Sequence, residues 1–241
     1  MTETNSFMPG GLAIVIGARG GLGAALAAGL QRTVGPAGFA DVLSLSRPEI
    51  DLLEEASIAA SAAGLAERSA TTGHPLRLVI DATGFLHGAG FRPEKALREL
   101  DPAHLAHAFA INAIGPALLM KHFLPLLPAE GKAVFATLSA RVGSIADIRL
   151  GGWYAYRASK AALNQLVRTS AIELARRRPK AICVALHPGT VATDLSAPFA
   201  RSGLDVQAPA EAAARLLQVI EGLRPADSGG FFDHRGEAVP F

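Results

Sequence analysis

Tyr156 and Lys160 stand four residues apart in Tyr154-Ala155-Tyr156-Arg157-Ala158-Ser159-Lys160, a stretch whose pattern turns helical after Gly151-Gly152 and continues through Ala161, Leu163, Leu166, Val167 and Leu174. Residues four apart on a helix lie one above the other on the same face. The spacing therefore sets a phenol one turn from an ammonium. A free phenol titrates near ~10 and is a poor acid or base at neutral pH. A neighbouring cation favours the phenolate and draws that pKa down, toward the range where general acid–base catalysis is efficient. Any helix also places a tyrosine before a lysine by chance. The pair acquires meaning from what the rest of the chain sets beside it.

A second stretch supplies a partner. Leu12-Ala13-Ile14-Val15-Ile16 reads as a buried strand by its length and β-branching, and it runs into Gly17-Ala18-Arg19-Gly20-Gly21-Leu22-Gly23, within which an Ala/Leu helix begins. A strand passing through a glycine turn into a helix N-terminus suits a diphosphate. Backbone N–H groups and the positive end of the helix dipole point at the anion, and absent side chains let it approach. An acid at the end of the second strand would hold the ribose 2′-OH of NAD. Here Ser46-Arg47 stands in that place, and Asp41 lies at the other end of the strand. A cation there suits the 2′-phosphate of NADP, with Arg19 as a second contact, so the sequence points to NADP in preference to NAD.

The elements that must position these residues alternate. Strands are expected over 12–16, 41–45, 76–80, 132–138, 181–186 and 230–233. Helices are expected over 21–32, 58–69, 102–127 (broken at Gly115-Pro116), 154–177 and 210–223. Such alternation argues for an α/β fold, a Rossmann-type doubly wound parallel sheet with helices on both faces. With no repeat, low-complexity tract or long linker, residues 1–241 read as a single NAD(P)-binding domain. Half of the residues are apolar and 18% are charged, which excludes disorder as the main state. A formal charge of +2 argues against nucleic acid or a membrane surface as partner. Cys183 sits alone in an apolar run and reads as a buried structural thiol. No stretch reads as a membrane span, and residues 1–11 lack a secretion-signal pattern, so a cytoplasmic protein is expected.

The order of motifs resembles that of the short-chain dehydrogenase/reductase family over nearly the whole chain. The family's glycine motif matches Gly17, Gly21 and Gly23, and its adenine contact matches Asp51-Leu52. Its Asn-Asn-Ala-Gly element is represented by Asp81-Ala82-Thr83-Gly84, in which Ala82 or Thr83 and Gly84 keep the backbone role. Its helix asparagine matches Asn112, its catalytic pair Tyr156 and Lys160, and its Pro-Gly motif the run from His187 through Pro188, Gly189, Thr190, Val191 and Ala192 to Thr193. Val142-Gly143-Ser144-Ile145, Gly151-Gly152, the stretch from Tyr154 to Asn164 and the ending Pro240-Phe241 are similar, more narrowly, to C-factor and sniffer-type carbonyl reductases. That group is associated with carbonyl reduction and, in the C-factor branch, with intercellular signalling.

The resemblance implies reversible hydride transfer between NADP(H) and a small-molecule carbonyl or alcohol. Tyr156 would be the general acid/base. Lys160 would lower its pKa and hold the nicotinamide ribose, and Asn112 would position a water linking Lys160 to solvent. Thr190 and Thr193 would hold the carboxamide and diphosphate, and the helices 102–127 and 154–177 would form the face of a homodimer or homotetramer. One position departs from the pattern. Alignment on Gly143-Ser144-Ile145 puts Ala140 where the family has its catalytic serine, and Ser139 one residue early. A one-residue shift on a strand turns a side chain to the other face. The expectation is nevertheless that a distorted strand end aims Ser139 at the Tyr156 oxygen, with Ser144 as the fallback. Residues 194–209 are expected to form a mobile lid. His187 reads as a packed residue near the site, and none of the seven histidines shows metal-ligand spacing. The competing class of reading is an NADP-binding signalling or scaffold protein whose chemistry has decayed.

Overall fold

Every residue of Leu-Ala-Ile-Val-Ile is buried in β1 (Leu12–Ile16), and the alternation of its side chains decides how the layers form. In the computed structural model, which describes residues 6–199 and 205–241, Leu12, Ile14 and Ile16 enter one apolar cluster and Ala13 and Val15 the other. A strand buried on both faces is what a parallel sheet covered by helices requires. The sheet runs β2-β1-β3-β4-β5-β8, all parallel, with β2 (Asp41–Leu45), β3 (Leu76–Asp81), β4 (Ala133–Leu138), β5 (Ala181–His187) and β8 (Phe231–Asp233). Helices α2 (Glu55–Thr72), α4 (Gly115–Phe123) and α5 (Tyr154–Arg177) cover one face, and α1 (Gly21–Gln31) and α6 (Pro209–Gly222) the other. This is a Rossmann-type doubly wound α/β fold.

Local chemistry sets the boundaries. Gly73 ends α2 in the left-handed region (φ +72°), and Asp101 starts α3 (Pro102–Phe109) by accepting from Ala103 N at 2.8 Å. The buried residues of α5, among them Ala155, Ser159, Lys160, Leu163, Asn164, Val167, Ala171 and Leu174, recur every three or four positions and lie on one face. Cys183 is buried, and burial pushes its thiol up to about 12.

The expected break at Gly115-Pro116 does not occur. Ala110–Ile114 forms a π turn, in which Gly115 N donates to Ala110 O, and the helix continues directly into α4. Pro116 brings no N–H to the ladder, and the wider turn carries the chain past it. The resulting run Pro102–Leu126, 25 residues with an 18-residue stretch of mean hydropathy 1.3, has the length and composition of a membrane span, contrary to the sequence reading. Here it is a core helix, with Leu119, Met120 and Phe123 packed in the cluster that also holds α5. A two-stranded parallel pair, β6 (Thr190–Val191) with β7 (Val206–Gln207), brackets most of the segment expected to be a lid. Residues 200–204 of that segment lie outside the described residues.

From β1 the chain steps outward to β2, then returns to place β3 on the other side of β1. The carboxyl ends of β1 and β3 are level, Ile16 facing Asp81. Sheets of this kind bind ligands at that reversal of order.

Candidate active site

The crevice beyond β1 and β3 is a cavity of about 660 Å³. Its floor is the glycine turn. Gly17 adopts φ +83°, and a Cβ on Gly23 would fall 2.2 Å from Gly17 O, so the turn can fold onto the start of α1 only as glycine. Thr193 closes over it, its Cγ2 3.0 Å from where a Cβ of Gly21 would stand. Arg19, Gly21, Leu22, Gly23, Ala82, Thr83, Gly84, Pro188, Gly189, Val191 and Thr193 all line the cavity, as do Thr190, Ser139, Tyr156 and Lys160. A bare glycine cradle at a helix N-terminus fits the diphosphate of a dinucleotide.

The remaining cofactor candidates lie at the rim. Arg19 N donates to Ser46 Oγ (3.1 Å) and Arg19 Nη1 to Arg47 O (2.6 Å), so the turn and the end of β2 are tied together with Arg19 and Arg47 side by side and exposed. Asp51 spends its carboxylate on the next turn, accepting from Leu53 N at 3.0 Å, while Leu52 is partly buried against the α2–α4 side of the core. A larger hollow of about 740 Å³ between α6 and β8 contains none of these residues.

α5 carries Tyr156 and Lys160 into the cavity one turn apart. Lys160 is buried, donates to Leu138 O at 2.8 Å, and desolvation draws its ammonium down to about 8 against the opposing pull of Asp81. The Tyr156 hydroxyl makes no hydrogen bond among the described residues, and burial pushes the phenol up to about 12. The expected lowering of the Tyr156 pKa by Lys160 is therefore not what this structure shows. Desolvation dominates, and the lysine is engaged with the end of β4.

Asn112 lies within the π turn, a form of helix common at functional sites. It exchanges two hydrogen bonds with the backbone of Phe85 (2.7 and 2.8 Å) and donates to Ser159 Oγ at 3.0 Å. A Cβ on Gly84 would sit 3.8 Å from Asn112 Oδ1 and 3.7 Å from Lys160 Nζ, so these two residues meet across Gly84.

Ser139 corrects the expectation. The residue is 3% exposed, and its hydroxyl donates to Asn164 Oδ1 at 2.7 Å and not to Tyr156. Ser139 N keeps the ladder by donating to Leu186 O. With no bulge, the one-residue offset stands, and Ala140 lines the cavity in the position the alignment assigns to the serine. The fallback is also engaged, because Ser144 Oγ accepts from Asp147 N at 3.0 Å.

Three groups escaped the sequence reading. Asn164 follows Lys160 by four residues, so helical periodicity could have found it. Asp81, fully buried, accepts from Thr137 Oγ1 (2.6 Å) and from Thr83 Oγ1 and N (2.5 and 3.0 Å), and burial raises its pKa. The register Asp81 opposite Thr137 brings these partners together. Glu94 and His104 carry no local signal at all. His187 lines the cavity as expected of a packed residue, and burial lowers its imidazole to about 4, leaving it neutral at pH 7.

Residues 52–221 match a family model described as enoyl-(acyl carrier protein) reductase, of the short-chain dehydrogenase type. "C-signal" of Myxococcus xanthus is 43% identical over 61% of this chain and 84% of its own length. A 1-hydroxy-2-glutathionyl-2-methyl-3-butene dehydrogenase of a Rhodococcus strain is 33% identical over 76% of this chain and 75% of its own. Among solved structures, the NADPH-bound carbonyl reductase from chicken fatty liver superposes with a TM-score of 0.82 at 26% identity, covering 97% of this chain and all of that one. The carbonyl reductase Sniffer of D. melanogaster shares the fold at a TM-score of 0.81 and 23% identity, over 96% of this chain and 99% of its own.

Proposed function

The chain belongs to the short-chain dehydrogenase/reductase family, and we propose that within it this protein is an NADP(H)-dependent oxidoreductase that interconverts a carbonyl and an alcohol, with Tyr156 as general acid/base. The observation that carries the reading is that Tyr156 and Lys160 open into the same cavity as the glycine cradle. Arg19 of the glycine turn, tied to Arg47 after β2, and the NADPH held by the chicken carbonyl reductase support NADP as the cofactor. Bound there, NADPH supplies the hydride.

The chain's own residues do the rest. Gly17, Gly21 and Gly23 leave room for the diphosphate, and Ser46, Arg47 and Arg19 meet the 2′-phosphate. Asp51-Leu52 and Ala82-Thr83-Gly84 border the adenosine side. Pro188, Gly189, Val191 and Thr193 enclose the opposite side. Tyr156, protonated at neutral pH, gives its proton to the carbonyl oxygen. Lys160 offers a cation beside the ribose and beside the phenol as negative charge develops, and Asn112 holds the loop at Phe85 against which Lys160 packs. Ser139 positions Asn164 rather than the substrate. Residues 1–241 act as one domain in this reading, in the cytoplasm. Exposed Ile114 and Ile172 on the 102–127 and 154–177 helices favour a homodimer or homotetramer through that face.

The test is NADPH oxidation by the purified protein against a panel of aldehydes, ketones and quinones, beside the Tyr156→Phe variant. Turnover that Tyr156→Phe abolishes supports the reading. A second reading, an NADP-binding signalling protein with weak or no catalysis, is favoured by the 43% identity to "C-signal" and by Ala140 at the serine position. Tight NADPH binding with no turnover on any member of the panel would decide for it.

A further inference from the structure

Glu94 comes from the loop between β3 and α3 and is 2% exposed. It engages the start of the helix that carries Tyr156 at two points. Its backbone carbonyl accepts from Trp153 N at 2.5 Å, and its side-chain Oε2 accepts from Ala155 N at 3.2 Å. The side chain of Trp153, the N-cap residue of α5, does not cap the helix. The first N–H groups of a helix have no partner within it, and a carboxylate placed there also meets the positive end of the dipole. Glu94 thus caps α5 from outside the helix.

The second carboxylate oxygen, Oε1, lies 2.9 Å from His104 Nδ1, outside hydrogen-bond geometry. His104 is 4% exposed on α3. It stacks on Phe91 with ring centroids 5.0 Å apart and planes 6° from parallel, and Phe85 meets it edge-on at 6.1 Å.

The backbone that Glu94 holds is strained. Gly152 adopts φ +80° and Trp153 φ +56°. A non-glycine residue in the left-handed region persists where its surroundings over-determine it, and such residues gather at functional sites. A Cβ on Gly152 would come 3.0 Å from Glu94 O. The Trp153 ring stands 6.2 Å from that of Tyr156, inclined at 67°, and both line the cavity.

We propose that the buried Glu94–His104 pair is a positioning device for Tyr156: it caps α5 from the neighbouring loop, holds Trp153 in its left-handed conformation and so sets the wall beside which the phenol meets the carbonyl. The proposal rests on the reading of Tyr156 as the proton donor. The clamp itself can be read without turnover, because Trp153 is the chain's single tryptophan and its emission reports this spot alone.

Glu94→Ala is expected to move Trp153 emission to the red and to raise its quenching by acrylamide. It should also lower kcat about 10- to 100-fold through misplacement of the donor, with NADPH affinity unchanged. Glu94→Gln keeps an acceptor for Ala155 N–H and should restore the emission and most of kcat. His104→Phe keeps the ring stack and removes Nδ1, and should move the emission in the same direction as Glu94→Ala. Unchanged emission in Glu94→Ala, or a change that Glu94→Gln does not reverse, overturns the proposal. If Glu94→Ala does not fold, unchanged emission in His104→Phe overturns it instead. A protein that oxidises NADPH against no carbonyl defeats the reductase reading and leaves the emission comparison intact, so the two failures are distinguishable.

Discussion

The two walls of the cavity present side chains by different rules. On one wall, α5 delivers Tyr156 and Lys160 from a single face, and Asn164 follows one turn further on. On the other, β4 ends at Leu138, and the next two residues divide their roles. Both line the cavity, but Ser139 gives its hydroxyl to Asn164 and Ala140 carries none. A helix repeats its face every three to four residues, so positions at that spacing share a surface. A strand alternates, so an offset of one residue sends the side chain elsewhere. A family motif carried on the helix therefore keeps its geometry. The same motif shifted by one residue at the strand end leaves a serine at the cavity wall whose hydroxyl is taken up by Asn164.

The largest expected effect lies on the helical wall. Tyr156→Phe keeps the ring and removes the proton, so turnover should fall roughly 10²–10⁴-fold with NADPH affinity nearly unchanged. Full activity in that variant would pass the role to another donor, Tyr154 first, and would break the contrast at its stronger side.

At the end of β2, Arg47→Asp tests whether a strand end can carry selectivity where its residue is not offset. Charge-assisted hydrogen bonds contribute about 1.5–3 kcal/mol, so NADPH affinity should drop about ten- to a hundred-fold. Equal affinities of the unmodified protein for NADH and NADPH would sink the assignment.

Acidity sharpens the comparison further. Desolvation holds Lys160 at about 8, below its ordinary 10.5, while Tyr156 stays protonated up to about 12. The charged lysine is thus present below about pH 8 and lost above it. In the reductive direction kcat/KM for NADPH, which reports the free enzyme, should decline as pH rises through that value. A profile flat to pH 10 would show that the Lys160 charge does not serve binding or catalysis.

The smallest kinetic effect is expected at Ser139. Ser139→Ala should leave turnover within error of the unmodified protein. It should cost about 1–3 kcal/mol of stability for the buried Asn164 oxygen left unpaired, read as a lower midpoint in urea. A hundredfold loss of turnover would mean that Ser139 turns to the substrate in the working enzyme, and the contrast between the walls would fail. Ala140→Ser, at the cavity-lining position, should be tolerated.

Most of the architecture was legible from local pattern. The bounds of α5 and of β1 and β2 agree with the sequence reading, and the doubly wound order follows from alternating strands and helices. Glycines at 17, 21 and 23 announced the cradle because close backbone approach admits no side chain. The family resemblance to short-chain dehydrogenase/reductases is borne out for the same reason: its motifs are short and sit on periodic elements. The long helix was misread at Gly115-Pro116, because a π turn depends on a choice of hydrogen-bond partner that composition does not record.

By itself, then, the sequence determined the helical face of Tyr156 and Lys160 and the glycine turn beneath them, since both depend on spacings of a few residues. Tertiary structure alone decided where Ser139 points, since that depends on Asn164, 25 residues away and brought near by the packing of α5 on β4. It also decided what holds the start of α5, where Glu94 reaches Ala155 across 61 residues. Periodicity fixes which side of its own element a residue occupies. What stands opposite is set by how separate elements pack.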